Sequence, residues 1–161
     1  MSAAARATAK PIAEVEVVLT RVFDAPRALV FRIWTEPHHL AKWWGPRDFT
    51  NPICELDMRV GGRIFIEMRA PDGTVYPMTG TFREVKAPER LVFIAYAEDH
   101  DGNRHLESLT TVTFEDEGGK TKLTVREKAV ALVPVAGPML AGMETGWAQS
   151  LFRLQTVVTK G

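Results

Sequence analysis

Apolar and polar residues alternate with a period of two over most of the chain, and helical spacing interrupts that period in two places. Val15, Val17 and Leu19 alternate with Glu16, Val18 and Thr20, which predicts a strand. Asp24-Ala25-Pro26 stops it, and Pro26 suits the first turn of a helix, where a missing N–H costs nothing. Leu29, Val30, Ile33 and Trp34 then recur at spacings of three and four, so the helix they predict buries one face before Glu36-Pro37 ends it. A second short helix is predicted from His38 to Trp44, stopped by Gly45-Pro46.

From residue 49 the period returns to two. Residues 49–57, 63–69, 76–85, 90–97, 107–115 and 121–130 read as strands. Gly61-Gly62, Pro71-Asp72-Gly73, Ala87-Pro88-Glu89, the polar run 100–103 and Glu117-Gly118-Gly119-Lys120 separate them. Turns this short make the sheet antiparallel. After Pro134 and Pro138, the residues Leu140, Met143, Trp147, Leu151, Leu154 and Val158 recur at helical spacing, while Arg153, Gln155 and Lys160 fall off the stripe. A helix over 138–159 would be about 33 Å long, the length of a small sheet. The order is strand, two short helices, six strands, long helix. It predicts an α+β grip, a seven-stranded curved antiparallel sheet around a long C-terminal helix with two short N-terminal helices plugging one end.

Three of the four tryptophans, Trp34, Trp43 and Trp44, fall within eleven positions, and Trp147 lies in the predicted last helix. Trp carries a large apolar surface, so the N-terminal helices and the C-terminal helix are expected to share one aromatic-lined interior. That interior is either solid core or the wall of a ligand cavity.

A chain of 161 residues predicts a single domain, here 13–161, preceded by a flexible tail over 1–12. Twenty basic residues balance twenty acidic ones. No basic field exists to hold a polyanion, so nucleic acid is not an expected partner. Zero net charge also supplies little self-repulsion, which permits a homodimer. Cys54 is the only cysteine, so no intrachain disulfide forms, in keeping with a reducing cytoplasm. No apolar run reaches transmembrane length and the first residues lack an apolar signal core, so a cytoplasmic location without membrane insertion is expected.

Candidate chemistry is sparse. Glu55 and Asp57 share one strand face, and Glu67 and Glu84 lie on the same predicted sheet. Paired carboxylates in an apolar pocket could do acid–base work, whereas surface pairing with Arg59, Arg63 or Arg21 would make them structural. His38 and His39 are adjacent, so on a helix they point about 100° apart and make a poor shared metal site. Asp99-x-Asp101-x-Asn103 starts like a calcium loop but has Arg104 where glycine is needed and Thr110 where the bidentate glutamate belongs. Gly119-Lys120-Thr121 is not a phosphate loop, because Phe114 occupies the first glycine position. Ser108, Ser150 and Cys54 lack the motif partners of a nucleophile. No metal, cofactor or catalytic residue is expected.

The chain resembles the activator of Hsp90 ATPase homologue 1-like family, within the START/Bet v 1-like superfamily. The resemblance rests on Arg21-x-Phe23-x-Ala25-Pro26, Trp34-Thr35-Glu36-Pro37 and Leu40-x-x-Trp43-Trp44-Gly45-Pro46. It continues through Glu55-x-Asp57-x-Arg59-x-Gly61-Gly62, Gly80-x-Phe82-x-Glu84-Val85, Pro88-Glu89-Arg90-Leu91-Val92 and Gly146-Trp147-x-x-Ser150-Leu151. It implies the helix-grip fold and a deep cavity between the sheet and the last helix; superfamily members mostly bind or carry apolar molecules, and some are cyclases. The eukaryotic chaperone activators resemble the chain only through their C-terminal domain, so Hsp90 stimulation is not expected.

Strand parity nominates Phe49, Ile53, Glu55, Phe65, Met78, Phe82, Phe93 and Tyr96 as inward positions. Met139, Met143 and Trp147 would face them from the last helix, with Trp34 and Trp43 at the plugged end as core, cavity wall or both. Methionine suits a cavity of loose shape. The leading expectation is non-catalytic binding of a small hydrophobic or amphipathic, lipid-like molecule, oriented by Tyr96, Glu55 or His105. The rivals are a chaperone-accessory or stress-response interaction module, and a cyclase or hydrolase using Glu55 or Asp57.

Overall fold

A computed structural model describes residues 13–160; the tail expected over 1–12 lies outside the described residues. The alternating segments form β1 (Ala13–Phe23), β2 (Thr50–Leu56), β3 (Arg63–Arg69), β4 (Val75–Lys86), β5 (Arg90–Glu98), β6 (Arg104–Glu117) and β7 (Lys120–Ala131). They make one antiparallel sheet in the order β1-β7-β6-β5-β4-β3-β2. From β2 to β7 each strand pairs with the next. β1 pairs with β7 along its whole length, from Ala13 opposite Ala131 to Phe23 opposite Thr121. β1 and β2 are therefore opposite edges, and the chain between them crosses from one to the other as two helices, α1 (Arg27–Thr35) and α2 (Pro37–Leu40). This is the curved seven-stranded α+β grip expected from the order of elements.

Two helices differ from expectation. α2 ends at Leu40 rather than Trp44, and residues 41–43 continue only as turns, with the amides of Trp43 and Trp44 both donating to the Leu40 carbonyl at 3.1 and 3.0 Å. The C-terminal rod is broken. After a 3₁₀ turn (Pro134–Ala136) come α3 (Gly137–Ala141) and, past Gly142, α4 (Met143–Lys160). Gly142 sits at φ −91°, ψ 0°, outside helical geometry. The straight part is 18 residues, or about 27 Å.

α4 packs on β1 and α1, burying Trp147, Leu151, Leu154 and Val158. α1 buries Val30, Phe31, Ile33 and Trp34 against the same core. Trp43 is fully enclosed and donates its indole N–H to the Ile33 carbonyl at 3.2 Å. Trp34 stacks on Trp147 with ring centroids 6.0 Å apart and planes at 19°. The aromatic cluster predicted from four tryptophans exists, and it joins both ends of the chain. Among the described residues no helix is long and apolar enough to cross a membrane.

Candidate functional site: a recess between sheet and C-terminal helix

The inward rows of the sheet change size from one to the next. Phe82, Phe93, Thr110 and Glu127 lie side by side across β4, β5, β6 and β7. The next row is Gly80, Ala95, Ser108 and Ala129, and the one after is Met78, Ala97, Leu106 and Ala131. The middle row has no side chain longer than a hydroxymethyl group. Glycine is required at Gly80, because a Cβ there would run into the Ile94 carbonyl of the neighbouring strand. On the helical side Gly142 and Gly146 also remove volume. The result is a recess of about 460 Å³, within the usual range of small-molecule sites.

Its walls are Phe49, Trp44 and Pro46 from the loop before β2, Tyr76 and Met78 from β4, and Met139, Met143 and Trp147 from α3 and α4. Below the large-side-chain row the interior closes. Trp34, Trp44, Phe82 and Phe93 there surround only about 20 Å³ of free space. The interior is thus solid toward α1 and open toward α3.

The polar group of the recess is Glu127. Its row on β7 reads Leu123, Val125, Glu127, Ala129, Ala131, all buried, and Glu127 itself is 7% exposed. Trp147 donates its indole N–H to Oε1 at 2.8 Å, and Thr110 donates its hydroxyl to Oε2 at 3.0 Å. Burial pushes the acid above the ordinary carboxylate range; bonds from Trp147, Thr110 and Ser108 oppose that shift, and no charged side chain acts on it. The native chain therefore holds this proton at pH values where the unfolded chain, with a pKa of about 4.3, has lost it. The resulting stability is full below that value and falls as pH rises through the folded-state pKa. Glu127→Gln keeps an acceptor for Trp147 and removes the titration. Denaturant unfolding at a series of pH values is expected to show the variant gaining on the wild type as pH rises; parallel curves would contradict it.

The wall formed by residues 44–49 is held by α4. One Arg153 nitrogen donates to the carbonyls of Trp44, Gly45 and Pro46 at 3.1, 3.0 and 2.9 Å. The other donates to those of Lys42 and Phe49 at 3.1 and 3.0 Å. Ser150 donates its hydroxyl to the Gly45 carbonyl at 2.9 Å, and Gln149 accepts the Arg47 amide at 3.0 Å. Gly45 needs its glycine: its φ is +94°, and a Cβ would lie 3.2 Å from the Met68 sulfur. On the buried side Asn51 donates to the carbonyls of Ala41 and Trp44 at 3.0 and 2.9 Å.

The model of the Activator of Hsp90 ATPase homolog 1-like proteins matches residues 24–159. The chain belongs to this family. Among solved structures it is similar to an uncharacterized protein from Rhizobium leguminosarum, at 25% identity and TM-score 0.80, covering 92% of this chain and 97% of that one. The AHSA1 protein from Silicibacter pomeroyi is 26% identical with TM-score 0.77, over 90% and 98% of the two chains. A protein from Chromobacterium violaceum is 27% identical with TM-score 0.72, over 89% and 96%. A comparison with curated proteins returned no match.

The motif pieces that carried the resemblance to Activator of Hsp90 ATPase homolog 1-like proteins meet in space. Trp44-Gly45-Pro46 faces Gly146, Trp147 and Ser150 across the recess, bonded through Ser150 and Gly45. In Glu55-x-Asp57-x-Arg59-x-Gly61-Gly62, a Cβ on Gly62 would overlap the Asp57 carbonyl.

Of the residues nominated from parity, Phe49, Met78, Tyr96, Met139, Met143 and Trp147 border the recess. The others do not. Trp43 is solid core, and Trp34, Phe82 and Phe93 lie beneath the recess around the small void. Ile53 is 36% exposed and Glu55 is exposed as well, because a bulge between Thr50 and Ile53 shifts the parity and turns Cys54 and Leu56 inward instead. Pro52 sits in the bulge, where β2 is an edge strand and a missing N–H is tolerated. Phe65 lies between the buried Ile64 and Ile66, so it takes the outer face, where the Arg63 guanidinium covers its ring at 5.0 Å. Tyr96 touches the recess, but its ring lies under the Arg104 guanidinium at 3.6 Å. His105 is outside the recess and bonds Asp99 at 3.1 Å.

The remaining candidates also resolve. Asp57 pairs with Arg59 at 2.7 Å rather than with Arg63, and Glu84 pairs with Arg90 at 3.1 Å. A carboxylate reaction built on Glu55 and Asp57 has no apolar pocket. Asp99 closes the β5–β6 turn, accepting the amides of Asp101 and Asn103 at 2.9 Å each, and those bonds hold its carboxyl down at about 2. Burial pushes the Cys54 thiol up to about 11, so it is unreactive. His38 and His39 do not point apart as an ideal helix would have it, since α2 is only four residues long. Their rings lie 4.1 Å apart beside Glu36, and the three offer ligand atoms within 4.8 Å of one another. Arg32 already bonds Glu36 at 3.1 Å. A larger groove of about 1060 Å³ runs between α1, α2 and the outer face of α4, with Phe152 72% exposed along it.

Glu127 and Arg153, with the wall residues Pro46 and Tyr76, are among those that sequence reasoning passed over. Glu127 had a signal, being the only charged residue on the apolar parity of β7. Arg153 had none, because an arginine off a helical stripe reads as solvated.

Proposed function

We propose that this chain binds a small apolar or amphipathic molecule in the recess between the sheet and α3–α4 without transforming it. The observation that carries the reading is the set of small residues Ala95, Ala97 and Ser108 on the sheet side of the recess, which withhold side-chain volume there and are roofed by Met143, Trp147 and Trp44. A core built for stability alone would fill such a space, since voids cost packing energy. Ligand burial would drive binding at roughly 25 cal/mol per Å² of apolar area, with Glu127 as the polar group that sets orientation. Family membership supports the reading through the ligand-binding habit of the fold, and methionines on the roof suit ligands of variable shape.

A ligand that binds only the folded state stabilises it by about 2.7 kcal/mol at one hundred times its dissociation constant. Thermal unfolding with 1-decanol, decanoic acid, a sterol and a flavonoid is expected to show a dose-dependent rise in Tm for at least one of them. The rise is expected to vanish in Met143→Trp, which fills the recess from its roof. No rise with any of the four would overturn the reading.

A further inference from the structure

We propose that the recess selects ligands carrying a cationic nitrogen, held as an ion pair by the Glu127 carboxylate and faced by the rings of Trp44 and Trp147. The inference rests on the binding role proposed above and names the chemistry of the ligand's polar end.

The wall is electrically one-sided. Among the described residues, Glu127 is the only carboxyl group bordering the recess, and no lysine, arginine or histidine borders it. The carboxyl is also held for use as an anion. Its two oxygens accept separate donors, the Trp147 indole N–H at 2.8 Å and the Thr110 hydroxyl at 3.0 Å, and an indole nitrogen can only donate. What the group lacks is a counter-charge. A buried carboxylate without one is costly, so burial pushes this acid above the ordinary carboxylate range. An anionic headgroup would meet that carboxyl with nothing to offset its charge. A cationic headgroup supplies the missing partner.

The aromatic walls act in the same direction. Trp44 and Trp147 meet edge to face, with centroids 5.5 Å apart and planes at 84°, forming a corner beside the carboxyl. Indole faces attract cations, most strongly where water is excluded. The donated N–H places the edge of the Trp147 ring against Glu127, with the Trp44 ring at right angles to it, so a nitrogen beside the carboxylate lies among aromatic walls.

At pH values where the acid holds its proton, binding exchanges one cation for another: the neutral acid plus a ligand cation gives carboxylate, ligand cation and one released proton. The groups facing Glu127 are Val17 on β1, Ser108 and Thr110 on β6 and Trp147 on α4, none of which titrates. The other titratable side chains on the wall are the phenols Tyr76 and Tyr96.

The test compares octyltrimethylammonium, whose charge does not titrate, with 1-octanol and octanoate, all below micellar concentration, by tryptophan fluorescence. At pH 8 the ammonium is expected to bind at least about tenfold tighter than the alcohol. Its affinity is expected to rise with pH while the alcohol's does not. Glu127→Gln is expected to erase the preference and the pH dependence, with circular dichroism and a cooperative unfolding curve reporting that the variant is folded. Should that variant fold poorly, the pH series on the wild type decides alone. Equal or tighter binding of octanol or octanoate, or an ammonium preference that survives in Glu127→Gln, would overturn the inference while leaving the recess as a binding site. Failure of all three probes to bind the wild type would overturn the inference, and the binding reading falls with it if the four ligands of the thermal test fail too.

Discussion

Trp147→Ala is expected to cost about 4 kcal/mol of stability, in the range measured for large aromatic truncations in cores. Three losses coincide. The ring leaves its stack on Trp34 and its edge contact with Trp44, at 6.0 and 5.5 Å. The recess becomes continuous with the core beneath it, so the new void cannot collapse. The buried Glu127 Oε1 loses its indole donor at 2.8 Å. For a chain of this length, 4 kcal/mol corresponds to a fall in Tm of roughly 10–15 °C. Trp147→Phe keeps most of the packing and loses only the donor, and is expected to cost about 2 kcal/mol. Denaturant unfolding of the two variants separates the packing loss from the hydrogen-bond loss. Equal losses would mean that the bond to Glu127 carries nearly all of the effect.

The second large effect is expected at Arg153. Arg153→Met keeps the apolar stem of the side chain and removes five bonds to the carbonyls of Lys42, Trp44, Gly45, Pro46 and Phe49. Hydrogen bonds to charged groups contribute more than neutral ones, but this guanidinium is only partly buried and water can replace some of its bonds. The expected cost is about 3 kcal/mol. It is local in character, because the residue ties one loop to one helix. Amide exchange is therefore expected to speed up most over residues 42–49, while β6 and β7 keep their protection until global unfolding. Uniform acceleration across the sheet would show instead that Arg153 supports the whole fold.

The legible part of this chain was the part governed by period. Alternation located all seven strands, and the short turns between them implied antiparallel neighbours. What failed was local. At Asn51 and Pro52 one extra residue in an edge strand flips the parity, and Ile53 and Glu55 turn outward. A bulge leaves no mark on hydrophobic period beyond a proline that any edge strand tolerates. At Gly142 the helical stripe runs on in sequence from Leu140 to Met143 although the helix does not, because a period reports which face is buried and not whether the backbone is continuous. Phe65 faces outward because Ile64 and Ile66 on either side occupy the inward parity of β3. Glu127 was readable by that same rule. Arg153 depends on where a distant loop presents its carbonyls, which is tertiary information.

The most direct measurement uses the four tryptophans as built-in reporters. Trp44 and Trp147 border the recess, Trp43 is sealed in the core, and Trp34 lies beneath the floor. Titrating a ¹⁵N-labelled chain with octyltrimethylammonium or 1-octanol and following the four indole N–H signals separates them. The Trp44 and Trp147 signals are expected to move together and saturate, while the Trp43 signal stays in place. Shifts confined to residues of the outer groove around Phe152, or four indole signals that do not respond to any amphiphile, would contradict a binding site between the sheet and the C-terminal helix.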